Sequence, residues 1–166
     1  MKTCALSVSK SGKGGGTVTS TPIGINCGTD CTEPYATGTK VTLTATPNVG
    51  TRFTGWSGAC SGTKPTCTVS MTASKSVTAT FKPVYTLTVS KTGAGSGTVG
   101  SSPAGISCGE DCMEDCIGET RVKLTATVKT GSKFIGWSGA CAGITTMSCT
   151  VAMSEAKTVG ANFVTH

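Results

Sequence analysis

The sequence contains few of the side chains from which catalytic sites are built. Its 166 residues include one histidine, His166 at the last position, and only 13% of them are charged. A site that pairs histidine with serine or cysteine would depend on a terminal residue, and chain ends are poorly ordered unless other contacts hold them. The motifs of haem attachment, of phosphate-binding loops and of zinc proteases are missing as well. We therefore expect no enzyme, no cofactor and no resident metal.

Large apolar side chains are also scarce. Leu, Ile, Val and Phe make up 28 of the 166 residues, and no apolar run approaches the roughly 20 residues of a membrane-spanning helix. This share lies below the roughly 20% at which a chain starts to look unable to bury a core unaided. In compensation the chain has 32 Thr and 14 Val, which favour β-strands, and 10 Cys. The composition predicts an all-β protein without substantial helix, whose thin cores are supplemented by disulfides.

The chain contains one pattern twice. LSVSK, VTLTAT and GWSGAC, which start at residues 6, 41 and 55, return as LTVSK, VKLTAT and GWSGAC from residues 87, 122 and 136. Of 78 aligned pairs, 41 are identical. So long a period favours two small tandem domains over a solenoid. We predict a first β module over residues 1–82 and a second over 83–166, joined by the short linker Lys82-Pro83-Val84.

Strand signals are dense within each copy. The segment from Val41 to Thr46 alternates apolar and hydroxyl side chains, as a half-buried antiparallel strand does. The glycine-rich tract Gly12–Gly16 separates Leu6 and Val8 from Val18, so the pattern predicts a β-hairpin around it. Each copy is predicted to hold about six to eight short strands.

The repeated pattern resembles the divergent internalin-B-type repeat of exported and surface proteins of bacteria. The resemblance is carried by Pro-x-Gly-Ile-x-Cys-Gly-x-x-Cys, F-x-GWSGAC and a closing SVTATF, in the same order in both copies. Together the copies cover nearly the whole chain. The resemblance implies compact β modules with a β-grasp-like core in extracellular or surface-attached chains, and it implies no catalytic activity.

Eight of the ten cysteines follow the duplication. We expect them to form structural disulfides within the modules, because thiols are kept reduced in the cytosol and the chain resembles exported proteins. Cys27 and Cys31 could pair only if residues 28–30 fold back, whereas Cys60 and Cys67 bracket a natural hairpin loop. The alternatives are a four-thiolate metal site in each module or thiol exchange, although the spacings depart from the CxxC pattern of both. The eight are Cys27, Cys31, Cys60, Cys67, Cys108, Cys112, Cys141 and Cys149.

The two remaining cysteines break the duplication in a reciprocal way. Cys4 aligns with Tyr85 of the second copy, and Cys116 aligns with Tyr35 of the first. If the two positions are neighbours within a module, each module holds one tyrosine and one cysteine there. Cys4 and Cys116 could then form a crosslink between chains, form one within a chain, or stay free.

Charge is distributed unequally between the two modules. Residues 1–82 hold eight basic against two acidic side chains, a net charge of +6, whereas residues 83–166 hold six of each. Five acidic residues surround Cys112 and Cys116, and we predict them as a patch for head-to-tail self-association with the basic module. A calcium site and a solvated turn are the alternatives. The scattered lysines favour no nucleic-acid partner. The patch consists of Glu110, Asp111, Glu114, Asp115 and Glu119.

Aromatic residues are few, and we assign four of them to the cores. Trp56 and Trp137 lie in the two GWSG motifs, each preceded by a phenylalanine, Phe53 or Phe134. An exposed tryptophan could instead stack on a sugar ring, but a glycan-binding platform usually needs several aromatic residues.

The predicted function is that of an extracellular or cell-surface structural protein, with any signal peptide removed or absent from this chain. Its modules would act as a rigid spacer or self-assemble into a fibre, with Cys4 and Cys116 as the candidate crosslink. The alternative is an adhesin-like module that binds a glycan, a host protein or another surface ligand.

Overall fold

The chain folds as two units, and no helix occurs among the residues that the structure describes. A computed structural model describes residues 2–109 and 112–166, and it divides the chain into a first unit, Met1–Pro83, and a second unit, Val84–His166. The prediction of an all-β chain built from two tandem modules is confirmed. Nothing in residues 2–109 and 112–166 is a helix long and apolar enough to cross a membrane.

The first unit consists of two layers of strands. The strands are β1 (Thr3–Ser11), β2 (Gly16–Thr21), β3 (Thr32–Ala36), β4 (Lys40–Pro47), β5 (Thr51–Gly58), β6 (Thr66–Ser70) and the first part of β7 (Lys75–Thr92). In one layer the order is β5-β7-β1-β3, with β1 and β7 parallel and the other neighbours antiparallel. In the other layer β4 lies between β2 and β6, and all pairs are antiparallel.

The second unit repeats this arrangement. The strands are the second part of β7, β8 (Gly97–Ser102), β9 (Ser107–Cys108), β10 (Met113–Ile117), β11 (Arg121–Val128), β12 (Ser132–Gly139), β13 (Ser148–Ala152) and β14 (Lys157–Thr165). Its first layer has the order β12-β14-β7-β10, with β7 and β14 parallel. Its second layer has the order β13-β11-β8-β9.

The core of each unit lies between its two layers, because apolar and hydroxyl residues alternate along the strands. In β4, Val41, Leu43 and Ala45 are buried while the threonines between them are partly exposed. Five side chains from both layers of the first unit, Leu6, Val18, Leu43, Val77 and Phe81, are at most 1% exposed. Their counterparts in the second unit are equally buried: Leu87, Val99, Leu124, Val159 and Phe163.

The boundary between the units differs from the prediction. The first unit ends at Pro83, one residue later than predicted, and the expected linker of Lys82, Pro83 and Val84 lies within strand β7. Pro83 is compatible with a strand here because it stands opposite Thr51, the first residue of β5, at the end of that ladder. The three residues therefore belong to a strand, and their role as a linker stays a prediction.

The predicted hairpin around Gly12–Gly16 is wrong, because β1 and β2 belong to different layers. The glycine tract packs on the middle of β7: the Gly14 N–H donates to the Phe81 carbonyl at 3.0 Å. Gly12 has a φ of +84°, and a side chain there would collide with the same carbonyl. The tract carries the chain from one layer to the other.

A parallel pair at the centre of each mixed layer joins the first strand of the unit with the last. Val8 stands opposite Val77, and Val89 stands opposite Val159. The second layer of each unit consists of strands. The β-grasp-like core that the family resemblance implies stays a prediction.

Candidate functional site

The repeated cysteines are paired within their own units. Cys27 lies 4.4 Å from Cys31 and Cys108 lies 4.5 Å from Cys112, measured between Cα atoms. These two disulfides close short loops. The Cα distances of the other two pairs, Cys60–Cys67 and Cys141–Cys149, are 6.2 and 6.1 Å.

The second type of disulfide connects the two layers of a unit. Cys60 follows β5 of the mixed layer, and Cys67 lies in β6 of the other layer. Such a link limits how far the two segments can move apart in the unfolded chain, which stabilises the folded state. It therefore supplements a core that is made of few large side chains. In residues 2–109 and 112–166, no three cysteine, histidine or carboxylate side chains gather closely enough to hold a metal ion.

The tryptophans of the GWSG motifs are core residues. Trp56 and Trp137 are each 6% exposed, and their ring N–H groups donate to the carbonyls of Lys64 and Thr146 at 2.8 and 2.9 Å. Gly58 has a φ of +85°, and its missing side chain lets the loop after Trp56 approach the Ser76 carbonyl.

The two phenylalanines before them complete these aromatic clusters. Phe53 lies 5.0 Å from Trp56 and Phe134 lies 5.1 Å from Trp137, measured between ring centroids. Both tryptophan rings are enclosed in this way, so neither offers an exposed face on which a sugar could stack.

The reciprocal tyrosines and cysteines stand directly opposite each other. Cys4 of β1 is the cross-strand partner of Tyr35 of β3, and Cys116 of β10 is the partner of Tyr85 of β7. We call each pair the tyrosine–cysteine site of its unit. The strand register thus joins the two sequence positions that exchange tyrosine and cysteine between the copies.

Both cysteines of these sites are free thiols inside the folded units. Cys4 is 5% exposed and Cys116 is 8% exposed. Burial, followed by the nearby carboxylates of Glu114 and Asp115, raises the pKa of the Cys116 thiol above its ordinary value. Because the thiolate is the reactive form, this thiol is protected in two ways: it is buried and it is protonated. A crosslink between Cys4 and Cys116 stays a prediction, and it would require a unit to open.

Three of the five residues of the predicted acidic patch lie among the residues that the structure describes. Glu114 and Asp115 lie on the edge strand β10, and the Asp115 carboxylate accepts a hydrogen bond from the Thr86 hydroxyl at 2.8 Å. Glu119 has a φ of +69° in the following turn. Glu110 and Asp111 lie outside the described residues.

The two tyrosine–cysteine sites differ in how they are filled. The Tyr35 hydroxyl lies 2.7 Å from the Ser20 hydroxyl and donates to the Pro22 carbonyl at 3.3 Å. At the equivalent place in the second unit, beside Ser101 and Cys116, lies an open cavity of about 180 Å³. Sequence reasoning missed this cavity, although the replacement of Tyr35 by a smaller residue in the second copy is the signal that could have revealed it.

These features define a class of protein, that of tandem all-β modules with disulfides inside each module. The family model described as the divergent InlB B-repeat domain matches residues 6–84 and 85–166. The chain therefore belongs to this family, and the predicted resemblance is confirmed.

The major pilin protein (T-13) from Streptococcus pyogenes is a structural match that covers 100% of this chain and 98% of the pilin chain, at 10% identity and a TM-score of 0.35. No curated protein matches the chain.

Proposed function

We propose that this chain is an extracellular structural protein whose two B-repeat units act as a spacer at a bacterial surface. The observation that carries the proposal is the succession of two units with the same strand order, each with its own core and its own pair of disulfides. A spacer needs modules that stay folded without a partner, and small exported modules commonly achieve this with disulfides.

The surface location is supported by the chemistry of the cysteines and by the family. Four disulfides in a chain of 166 residues require an oxidising compartment to form and persist. Treatment of intact native cells with a protease that cannot enter them would test the location. We expect the chain to be lost from the cells while a cytosolic marker survives. Full protection of the chain in intact cells would contradict the proposal.

The spacer role is favoured over a fibre because the candidate crosslink is buried. Cys4 and Cys116 both lie inside their units, so chains meeting in solution present no exposed thiol in the described residues. We expect non-reducing gels to give one band, that of the 16.5 kDa chain. A ladder of bands that disappears in Cys4→Ser and in Cys116→Ser would establish the fibre instead.

Head-to-tail association through the acidic patch stays a separate prediction. It joins the basic first unit to Glu114 and Asp115 by charge, so it should weaken as salt is added. A concentration-dependent mass at low ionic strength that falls to the monomer value in the Glu114→Gln, Asp115→Asn variant would support it. A monomer mass at low ionic strength would exclude it.

The proposal includes no catalytic activity. The adhesin-like alternative also stays a prediction. Because Trp56 and Trp137 are enclosed in the cores, a glycan would have to bind through other groups. A glycan array probed with the whole chain tests this alternative.

A further inference from the structure

The cavity beside Cys116 has a well-defined counterpart in the first unit. It lies between the turn after β8 and the edge strand β10, and it is lined by Ser101, Pro103 and Ile106. Cys116 of β10 and Val122 of β11 line it as well. Each of these residues except Cys116 is identical to its aligned residue in the first unit: Ser20, Pro22, Ile25 and Val41.

The counterpart in the first unit is occupied by a phenol ring from the protein itself. Tyr35 is only 6% exposed, and its hydroxyl reaches the Ser20 hydroxyl at 2.7 Å and the Pro22 carbonyl at 3.3 Å. A side chain at Gly24 would come within 2.7 Å of that hydroxyl, so glycine leaves room for the ring. These groups form a receptor for a phenol.

The second unit keeps the receptor but lacks the ring. Ser101 donates to the Pro103 carbonyl at 2.7 Å and accepts from the Ile106 N–H at 2.9 Å, as Ser20 does with its own neighbours. The Cys116 thiol contacts the Glu114 carbonyl of its own strand at 3.8 Å and is much smaller than a phenol. Tyr85, its cross-strand partner, is not among the residues that line the cavity.

The size and the charge of the cavity narrow the choice of ligand. A buried apolar cavity of about 150 Å³ holds one benzene ring, so about 180 Å³ is sufficient for one phenol ring. Glu114 and Asp115 also line the cavity, and Asp115 stands where the first unit has Pro34. Two carboxylates favour a ligand with a positive charge over a neutral or negative one.

We propose that the cavity beside Cys116 binds a small phenolic cation, whose ring takes the place that the Tyr35 ring has in the first unit. The phenol hydroxyl bonds to Ser101 and the Pro103 carbonyl, and the positive group lies near Glu114 and Asp115. The inference does not depend on the spacer role or on the cellular location.

Tyramine is the direct probe, because it combines a phenol with an ammonium group. We expect a titration followed by amide NMR of the whole chain to shift the signals of Ser101, Ile106 and Cys116, with one site per chain. Phenethylamine, which lacks the hydroxyl, should bind several-fold more weakly, and 4-hydroxyphenylacetate, which carries a negative charge, should also bind several-fold more weakly. No shift at these residues at millimolar tyramine, or equal binding of the three compounds, would overturn the proposal.

Variants separate this site from binding elsewhere on the chain. Cys116→Tyr supplies the missing ring and should abolish the tyramine shifts. Ser101→Ala keeps the cavity but removes the hydroxyl, so it should weaken tyramine several-fold and leave phenethylamine unchanged. Tyr35→Cys should create a second site at Ser20. Shifts that persist in Cys116→Tyr, or an affinity for tyramine that Ser101→Ala leaves unchanged, would contradict the assignment.

Discussion

The two units share 41 of 78 aligned residues and the same order of strands, yet they differ in where the tyrosine and the cysteine of the tyrosine–cysteine site lie. In the first unit the small residue, Cys4, is on the central strand β1 and the large one, Tyr35, is on the edge strand β3. In the second unit the assignment is reversed, with Tyr85 on the central strand and Cys116 at the edge. Exchanging the residues keeps the composition of the pair but moves the ring, and a cavity opens at the edge.

The comparison also shows which parts of the unit tolerate change. The disulfides, the tryptophan clusters and the central valines are the same in both copies, whereas the edge strand differs at most of its positions. Glu33 is kept as Glu114, but Pro34 becomes Asp115 and Tyr35 becomes Cys116. An edge strand pairs on one side only, so its side chains have fewer contacts that must be preserved.

The largest expected effect on stability concerns the buried tryptophans, which the two units share. Replacing Trp56 or Trp137 by alanine removes a buried ring and a hydrogen bond, so each should lower the stability of its unit by about 3–5 kcal/mol. Urea unfolding followed by amide signals of each unit would measure this. Losses that differ greatly between the two variants would mean that the cores are not equivalent.

An intermediate effect on stability is expected at the tyrosine–cysteine sites, which distinguish the two units. Tyr35→Cys should destabilise the first unit by about 2–4 kcal/mol, because it leaves a cavity and removes the hydrogen bonds of the Tyr35 hydroxyl with Ser20 and Pro22. Cys116→Tyr should stabilise the second unit by about 0.5–2 kcal/mol, because the new ring fills the cavity beside Ser101.

The critical outcome is that Tyr35→Cys and Cys116→Tyr change the free energy of unfolding in opposite directions, as measured by the same urea unfolding experiment. The double variant Tyr85→Cys, Cys116→Tyr is the matched control, since it gives the second unit the arrangement of the first. If Cys116→Tyr destabilises the second unit as much as Tyr35→Cys does the first, the cavity is not the counterpart of the tyrosine pocket.

The smallest expected effect is a dependence on alkaline pH. Burial and the carboxylates of Glu114 and Asp115 raise the pKa of Cys116 above its ordinary value of 9.0. The fold therefore favours the neutral thiol, and its contribution to stability is complete below about pH 9 and is lost as the pH rises through the folded-state pKa. Between pH 8 and 10 the second unit should lose slightly more stability than it does in Cys116→Ser. An equal loss in both proteins would contradict the raised pKa.

Local patterns allowed much of the fold to be predicted. The alternation from Val41 to Thr46 lies inside β4, and the duplication located both units to within one residue of their boundary. The layer to which each strand belongs could not be read in the same way. Val8 pairs with Val77, which is separated from it by most of the sequence of the unit. The reason why β1 and β2 lie in different layers is visible only in the packing of the Gly12–Gly16 tract on Phe81.

The site was only partly accessible to sequence reasoning. The reciprocal exchange of Cys4 and Cys116 with tyrosines identified the two positions, but not their burial. A cavity depends on what is missing between side chains from three strands and a turn, so it could be recognised only once Ser101 and Cys116 were placed together.

The central claim is that two self-contained, disulfide-closed units form the chain while Cys4 and Cys116 stay buried as thiols. A mass-spectrometric map of native material, with one thiol label added before unfolding and a second after it, tests this claim directly. We predict the pairs Cys27–Cys31, Cys60–Cys67, Cys108–Cys112 and Cys141–Cys149, with Cys4 and Cys116 taking only the second label. A bridge between Cys4 and Cys116, or a pair that joins the two units, would contradict it.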